Sequence, residues 1–190
     1  NSKESPDFTV MSYNLRLFNR FESDGKSSES KLFSYLKERD DDLICMQELY
    51  INGSPSVKEA DFKKQLGGGY YSHMKVIGSG KNRYYGIATF SRYPIIKKGE
   101  IIHPGSSSLS IYTDIVIRGD TFRVFNNHLQ SFRLQRMEKS FIEEITTDVD
   151  NETMSEVKKL SSSLKSGFVK LSVQAQKVKD VINKSKYPVI

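Results

Sequence analysis

From Phe8 to Phe18 the chain reads FTVMSYNLRLF, with apolar side chains on both alternate faces, which predicts a strand buried on two sides. A polar stretch from Asn19 to Ser30 reads as a loop. Leu32, Phe33 and Leu36 then form an apolar stripe within Glu29 to about Arg39, the spacing of an amphipathic helix, and DDDLICMQE supplies a second buried strand from Leu43. Strand, helix and strand in that order predict a parallel pair with a right-handed crossover, and such units bind ligands outside the carboxyl ends of their strands. Asn14 and Glu48 both lie towards those ends.

Tyr70 to Ile77 sits between two glycine clusters and reads as a short strand between turns; no GxxxxGK[ST] follows, so the glycines do not announce a phosphate-cradling loop. From Tyr84 strand and turn alternate: YGIATFS, an SRYP corner, Ile95 with Ile96, then SIYTDIVIR with Ile111, Ile115 and Ile117 on one face. Gly119 and Asp120 make a two-residue hairpin turn, and the returning TFRVFNNHL places Phe122, Val124, Asn126 and His128 on one face with His128 at the exit. Arg133 to Ser163 is polar and acidic, without a clean period until Glu152. Phe168, Leu171, Ala175, Val178 and Ile182 then step by helical spacing, and YPVI at Tyr187 opens another strand.

A length of 190 residues suits one domain, and 37% hydrophobic content with ten Tyr and eleven Phe excludes wholesale disorder. Apolar runs reach only four residues, far short of the roughly 20 needed to span a bilayer as a helix. The single Cys excludes an internal disulfide and a cysteine-based zinc site, and Cys45 lies in an apolar run where a buried, inert thiol is expected. The net charge of +6 is unevenly spread: Glu138 to Glu156 carries seven acids against one Lys, and Lys158 to Lys186 eight Lys against Asp180. Polar helix faces account for this, with a nucleic-acid or lipid-headgroup patch as the other reading. Asn1 to Asp7, polar and without an initial Met, reads as a disordered leader, and the folded domain is expected over 8–190.

Four segments could carry chemistry. A Glu directly after an apolar run is expensive to bury unless it is paired or metal-bound, which makes Glu48 a ligand candidate. Asn14, within an apolar strand, reads equally as a satisfied core amide. His128 at a strand exit is more often a hydrogen-bonded structural histidine than a catalyst. The SRYPI corner and Asn126 complete the set.

Taken together and in this order, these segments resemble the endonuclease/exonuclease/phosphatase superfamily of DNase I-like phosphoesterases. The resemblance runs from about Phe8 to Ile190, through a strand ending in Tyr13 and Asn14, one ending in Gln47 and Glu48, the GIATFSRYPI segment, and one ending in His128 and Leu129. It implies an α/β fold, a four-layer sandwich of two packed mixed sheets flanked by helices, with the active site at one edge of the sheets. Glu48 would be the principal Mg2+ ligand, with Mn2+ as a substitute. Asn14 would hold the metal's water or the phosphate, and His128 would donate to the phosphate. Asn126 and Arg92 are the further substrate-side candidates.

The chain departs from the family pattern in one respect: neither the GDxN segment, whose Asp activates water and whose Asn binds phosphate, nor the SDH segment, whose His grips phosphate, occurs in these 190 residues. The expectation is therefore a sandwich truncated before its C-terminal strands, inactive alone, with unpaired sheet edges that favour self-association. The parent would be a metal-dependent hydrolase of a phosphodiester or phosphomonoester, its substrate a nucleic acid, a phospholipid headgroup or an inositol phosphate. The alternative is a catalytically dead module of the same fold that binds phosphate or assembles with copies of itself. Chains with the YNLRLFN and HLQS wording resemble bacterial members in which membrane spans precede the domain, so a membrane-anchored parent is a further expectation.

Overall fold

A computed structural model describes residues 8–20, 28–130 and 151–190. The Asn1–Asp7 leader and the 131–150 part of the acidic stretch lie outside the described residues. Thr9 and Asp42 set the frame. Thr9 donates from its backbone N–H and its hydroxyl to Asp42 Oδ2 (2.9 and 3.1 Å), and Asp42 N–H returns a bond to Thr9 Oγ1 (2.9 Å). That clasp starts β1 (Val10–Asn14) and β2 (Leu43–Asn52) in parallel register, so Val10 faces Leu43 and Asn14 faces Gln47. The crossover helix between them is α1 (Glu29–Arg39), ended by Asp40 in the left-handed conformation (φ 51°).

A second helix, α2 (Pro55–Gln65), follows β2 with Pro at its first turn. Sequence periodicity does not reveal it, because Phe62 is its single fully buried side chain. β3 (Tyr71–Gly78) and β4 (Arg83–Ser91) complete a mixed sheet of order β1-β2-β4-β3. β5 (Ile95–Ile101), β6 (Leu109–Ile117) and β7 (Asp120–His128) form the second sheet, antiparallel in that order. The terminal YPVI pairs as expected of a strand start: Pro188 O accepts Arg123 N–H, and Ile190 exchanges bonds with Arg123 O and Phe125 N–H, parallel to β7.

Both sheets belong to one compact unit, Asn1–His128 with Val181–Ile190; Leu129–Asp180 forms the other. In the first, α1 and α2 cover one face of the four-stranded sheet through a core that includes Phe18, Phe33, Leu36, Ile44, Met46, Leu49 and Phe62, where Phe33 and Phe62 stack at 5.1 Å. The sheets meet through Leu43, Cys45, Ile115, Ile117 and Val124. This is an α/β sandwich with helices, one mixed sheet and then the other sheet as successive layers. Burial pushes the Cys45 thiol up to about 11, which keeps it protonated and inert.

Two expectations need correction. β1 is an edge strand with Val10 and Tyr13 43% and 42% exposed, so it is not buried on two sides; among the described residues it pairs with β2 alone. It also stops at Asn14, because Arg16–Asn19 turn with left-handed φ values of 46 to 59°. In the second unit the helix predicted around Phe168 belongs to α3 (Asn151–Asn183), but Phe168 stands 59% exposed and is not part of a buried stripe. No helix among the described residues is long and apolar enough to cross a membrane.

His73 on β3 links the sheets, with Nδ1 2.9 Å from Thr113 Oγ1. Burial, assisted by Lys98, lowers its pKa from 6.5 to about 4. The native state holds this ring neutral while the unfolded chain protonates it near 6.5, so its contribution to stability is lost as the pH falls from about 6.5 towards 4. We expect acidification from pH 7 to 4 to cost the wild type roughly 2–4 kcal/mol more than it costs His73→Gln in urea unfolding. Equal losses in the two proteins would refute this assignment.

Candidate functional site

The site is built by one irregularity in β2. Ile44 and Met46 face the helices, and by simple alternation Glu48 would follow them into that apolar core, where an unpaired carboxylate is prohibitive. The ladder to β4 shifts between Met46 and Leu49, so Leu49 and Ile51 take the core positions instead. Glu48 adopts φ 51°, a left-handed conformation uncommon for a non-glycine residue, and its side chain emerges one-third exposed. Gly86 lies opposite Leu49 and Val76 in the flanking registers. A Cβ there would run into the Lys75 carbonyl oxygen and the Val76 side chain. Gly86→Ala should therefore lose about 1–3 kcal/mol in denaturant unfolding, and an unchanged midpoint would show that the strand tolerates the group.

Two strands, one from each sheet, deliver side chains to the same carboxylate oxygen of Glu48 on β2. Asn14, exposed at the end of β1, donates from Nδ2 to Glu48 Oε1 at 2.9 Å. His128, at the end of β7, brings Nε2 to 3.2 Å from that oxygen. An ionised carboxylate only accepts, so Nε2 is the protonated ring nitrogen in this contact. Asn14 Oδ1 accepts the Arg16 backbone N–H at 2.9 Å, which fixes the orientation of the amide and leaves its NH2 facing Glu48. That backbone N–H is presented by the left-handed turn, whose residues each cost about 1–2 kcal/mol in this conformation and which is anchored by the fully buried Phe18.

The remaining candidates lie elsewhere. Asn126, expected on the substrate, is 1% exposed and spends its amide on buried partners beneath the site, with Oδ1 accepting from Gln47 Nε2 at 2.8 Å. Arg92, also expected there, follows Ser91, which pairs with Leu43 at the start of β2, and its N–H bonds Asp42 O. Five residues of strand separate that end from Glu48, ~16 Å. Its guanidinium bonds Gly68 O (2.9 Å), pairs with Asp40 and lies 4.2 Å over the Tyr70 ring. The SRYP corner is thus structural, and Arg92 packs there because the guanidinium plane suits both ring and carboxylate.

A small divalent cation asks for oxygen donors with room for its waters. Glu48 Oε1 takes both hydrogen bonds, and Oε2 receives none among the described residues. A carboxylate one-third exposed, with one oxygen taking no hydrogen bond among the described residues, suits Mg2+, which retains waters and binds through one or two carboxylates plus substrate phosphate. No cluster of three His, Cys, Asp or Glu side chains able to cage a metal occurs among the described residues. The residues present therefore fit a water-rich, single-carboxylate anchorage.

Comparison with known proteins bears on the same elements. Searching curated proteins gives no match. Among solved structures, a Beutenbergia cavernae endonuclease/exonuclease/phosphatase is similar over 75% of this chain and 44% of its own, with 16% identity and a TM-score of 0.54. An endonuclease/exonuclease/phosphatase family protein from Leptotrichia buccalis gives 76% and 64%, with 16% identity and a TM-score of 0.53. A humanized D. rerio TDP2 gives 73% and 54%, with 19% identity and a TM-score of 0.51. The chain spans about half to two-thirds of the length of these structures, and at such identities the likeness concerns the fold. The sequence profile of the Endonuclease/Exonuclease/phosphatase family matches residues 11–152, from within β1 past β7 and so across Asn14, Glu48 and His128. The chain belongs to the Endonuclease/Exonuclease/phosphatase family.

Proposed function

We propose that this chain carries the cation-anchoring and phosphate-facing part of a divalent-metal-dependent phosphoester hydrolase. The observation that supports this most is the meeting of Asn14, Glu48 and His128 at one partly exposed carboxylate, from three strands of two sheets. Mg2+, or Mn2+ in its place, would supply Lewis acidity at a phosphoryl oxygen when bound. Glu48 would hold it through Oε2, the oxygen left without a hydrogen bond. Asn14 Nδ2 and His128 Nε2 both donate toward Glu48 Oε1; the amide keeps a second N–H for a phosphate drawn in beside that carboxylate, whereas the single Nε2–H of His128 would have to turn from Oε1 to reach it. Asn14 Oδ1 is engaged by Arg16, which favours Asn14 as a donor to oxygen over a cation ligand.

The 190 residues hold no GDxN or SDH segment, and no third metal-type side chain joins Glu48 and His128 among the described residues. The reading therefore assigns anchoring to this chain and expects little or no turnover from it alone. The same observation favours the second reading, a phosphate-binding or self-assembling module, as does the exposed edge of β1. Hydrolysis of bis(p-nitrophenyl) phosphate with Mg2+ or Mn2+, by this chain and by a form extended with GDxN and SDH segments of the family, separates the two. Activity in either form that vanishes on chelation supports the hydrolase; inertness of both forms, with Mn2+ affinity untouched by Glu48→Gln, refutes it.

A further inference from the structure

A β-bulge disrupts its ladder locally, and the carbonyls beside it need other donors. Met46 and Ala88 form the last pair before the shift in β2, and Leu49 and Gly86 the next. Asn126 reaches both carbonyls from the opposite sheet: Nδ2 donates to Ala88 O at 2.9 Å and to Met46 O at 3.2 Å. Its Oδ1 accepts from Gln47 Nε2 at 2.8 Å, and Gln47 belongs to the bulge itself. Gln47 Nε2 lies in addition 3.3 Å from Cys45 O and 3.2 Å from Ser12 Oγ, which extends the ties to β1. Asn126 and Gln47 are buried, at 1% and 9% exposed.

A leucine would fill the Asn126 position with less desolvation, so packing alone does not account for an amide there. What the amide adds is direction: its two N–H groups and its oxygen converge on the three residues Met46, Gln47 and Ala88 that frame the left-handed Glu48. We infer that Asn126, through Gln47 and the Met46 and Ala88 carbonyls, is a positioning residue that locks the β2 bulge and thereby aims the Glu48 carboxylate. The inference rests on Glu48 as the cation anchor, but the locking of the bulge has a readout of its own. Displacement of a site group by about 1 Å can cost 100-fold, so a side chain that touches neither cation nor substrate governs affinity.

The test uses Asn126→Leu, close to asparagine in shape but without donors, and Gln47→Met, a milder change that serves if the first variant does not fold. Mn2+ affinity is titrated by calorimetry, and amide hydrogen exchange is followed by mass spectrometry. Asn126→Leu should weaken Mn2+ binding by about 10–100-fold and accelerate exchange at least tenfold in peptides spanning the bulge and facing β4, with β5 and β6 unchanged. Gln47→Met should lie between it and the wild type on both readouts. Unchanged affinity, or acceleration spread evenly over all strands, would reduce Asn126 to an ordinary core amide and overturn the inference. If the wild type binds no Mn2+ while exchange still rises at the bulge alone, the cation reading falls and the locking role stands; no local rise removes the locking role itself.

Discussion

Glu48→Gln should weaken Mn2+ or Mg2+ binding by at least 10²–10³-fold, on the order seen when one preorganised charge contact is removed, while leaving the fold intact. The substitution keeps size and shape, removes the charge and replaces one acceptor oxygen with an NH2 donor. Because Glu48 is one-third exposed and contributes no apolar packing, its loss costs only the hydrogen bonds from Asn14 and His128, whose donors water can reach in its place. The backbone sharpens the prediction. At φ 51° a side chain carries strain that glycine does not, so Glu48→Gly should raise stability by up to about 1 kcal/mol while abolishing cation affinity. Gain in one property with loss of the other is the signature of a residue held in place for function. A Glu48→Gly protein that melts lower than wild type would mean that the carboxylate is a structural anchor. Calorimetric titration and thermal melts of the same preparations measure both.

The largest effect on stability should come from Arg123 and Asp114. They form a bidentate pair, Nε to Oδ1 at 2.6 Å and NH2 to Oδ2 at 2.8 Å, with the Asp114 side chain 2% exposed and that of Arg123 10%. The guanidinium also lies 4.4 Å over the Tyr112 ring, and Arg123 backbone groups hold Pro188 and Ile190. Truncating one partner strands the other charge in a poorly solvated place, which costs about 3–5 kcal/mol. Arg123→Ala should lower the melting temperature by roughly 10–15 °C. Replacing the pair together, Arg123→Met with Asp114→Leu, should recover most of that loss, because the desolvation of both charges is removed with their attraction. A double variant as unstable as Arg123→Ala would show that the aromatic and terminal contacts, and not the charge balance, hold this edge.

How much of this was legible in the sequence depends on the range over which each feature is decided. The β1-α1-β2 crossover and the β6–β7 hairpin follow from local periodicity and stand in the structure, but the hairpin's two-residue turn is Arg118-Gly119, both at positive φ, and not the expected Gly119-Asp120, because Asp120 already pairs with Ile117. α2 escaped because Val57 is exposed and Phe62 alone is fully buried, so no stripe repeats. The exposed edge of β1 escaped because burial depends on strand order, which alternation does not encode. At the site, Glu48 stood out alone as a carboxylate closing an apolar run, whereas Asn14 and His128 joined it only through the resemblance of the segments taken together; the structure brings both within hydrogen-bond distance of its carboxylate. The bulge that turns Glu48 outward was not legible, since nothing in LICMQELY marks a shift in register. Asn126 and Arg92 were misplaced for the same reason. Residue type suggested contact with phosphate, whereas sheet-to-sheet distance and the position of Ser91 opposite Leu43 decide otherwise.

The most direct test is anomalous diffraction from crystals of this chain soaked in Mn2+. The account predicts a peak about 2.1 Å from a Glu48 carboxylate oxygen, with Asn14 and His128 beside it and the remaining positions filled by water. A peak that touches no Glu48 oxygen, or none at all at saturating Mn2+, would contradict it.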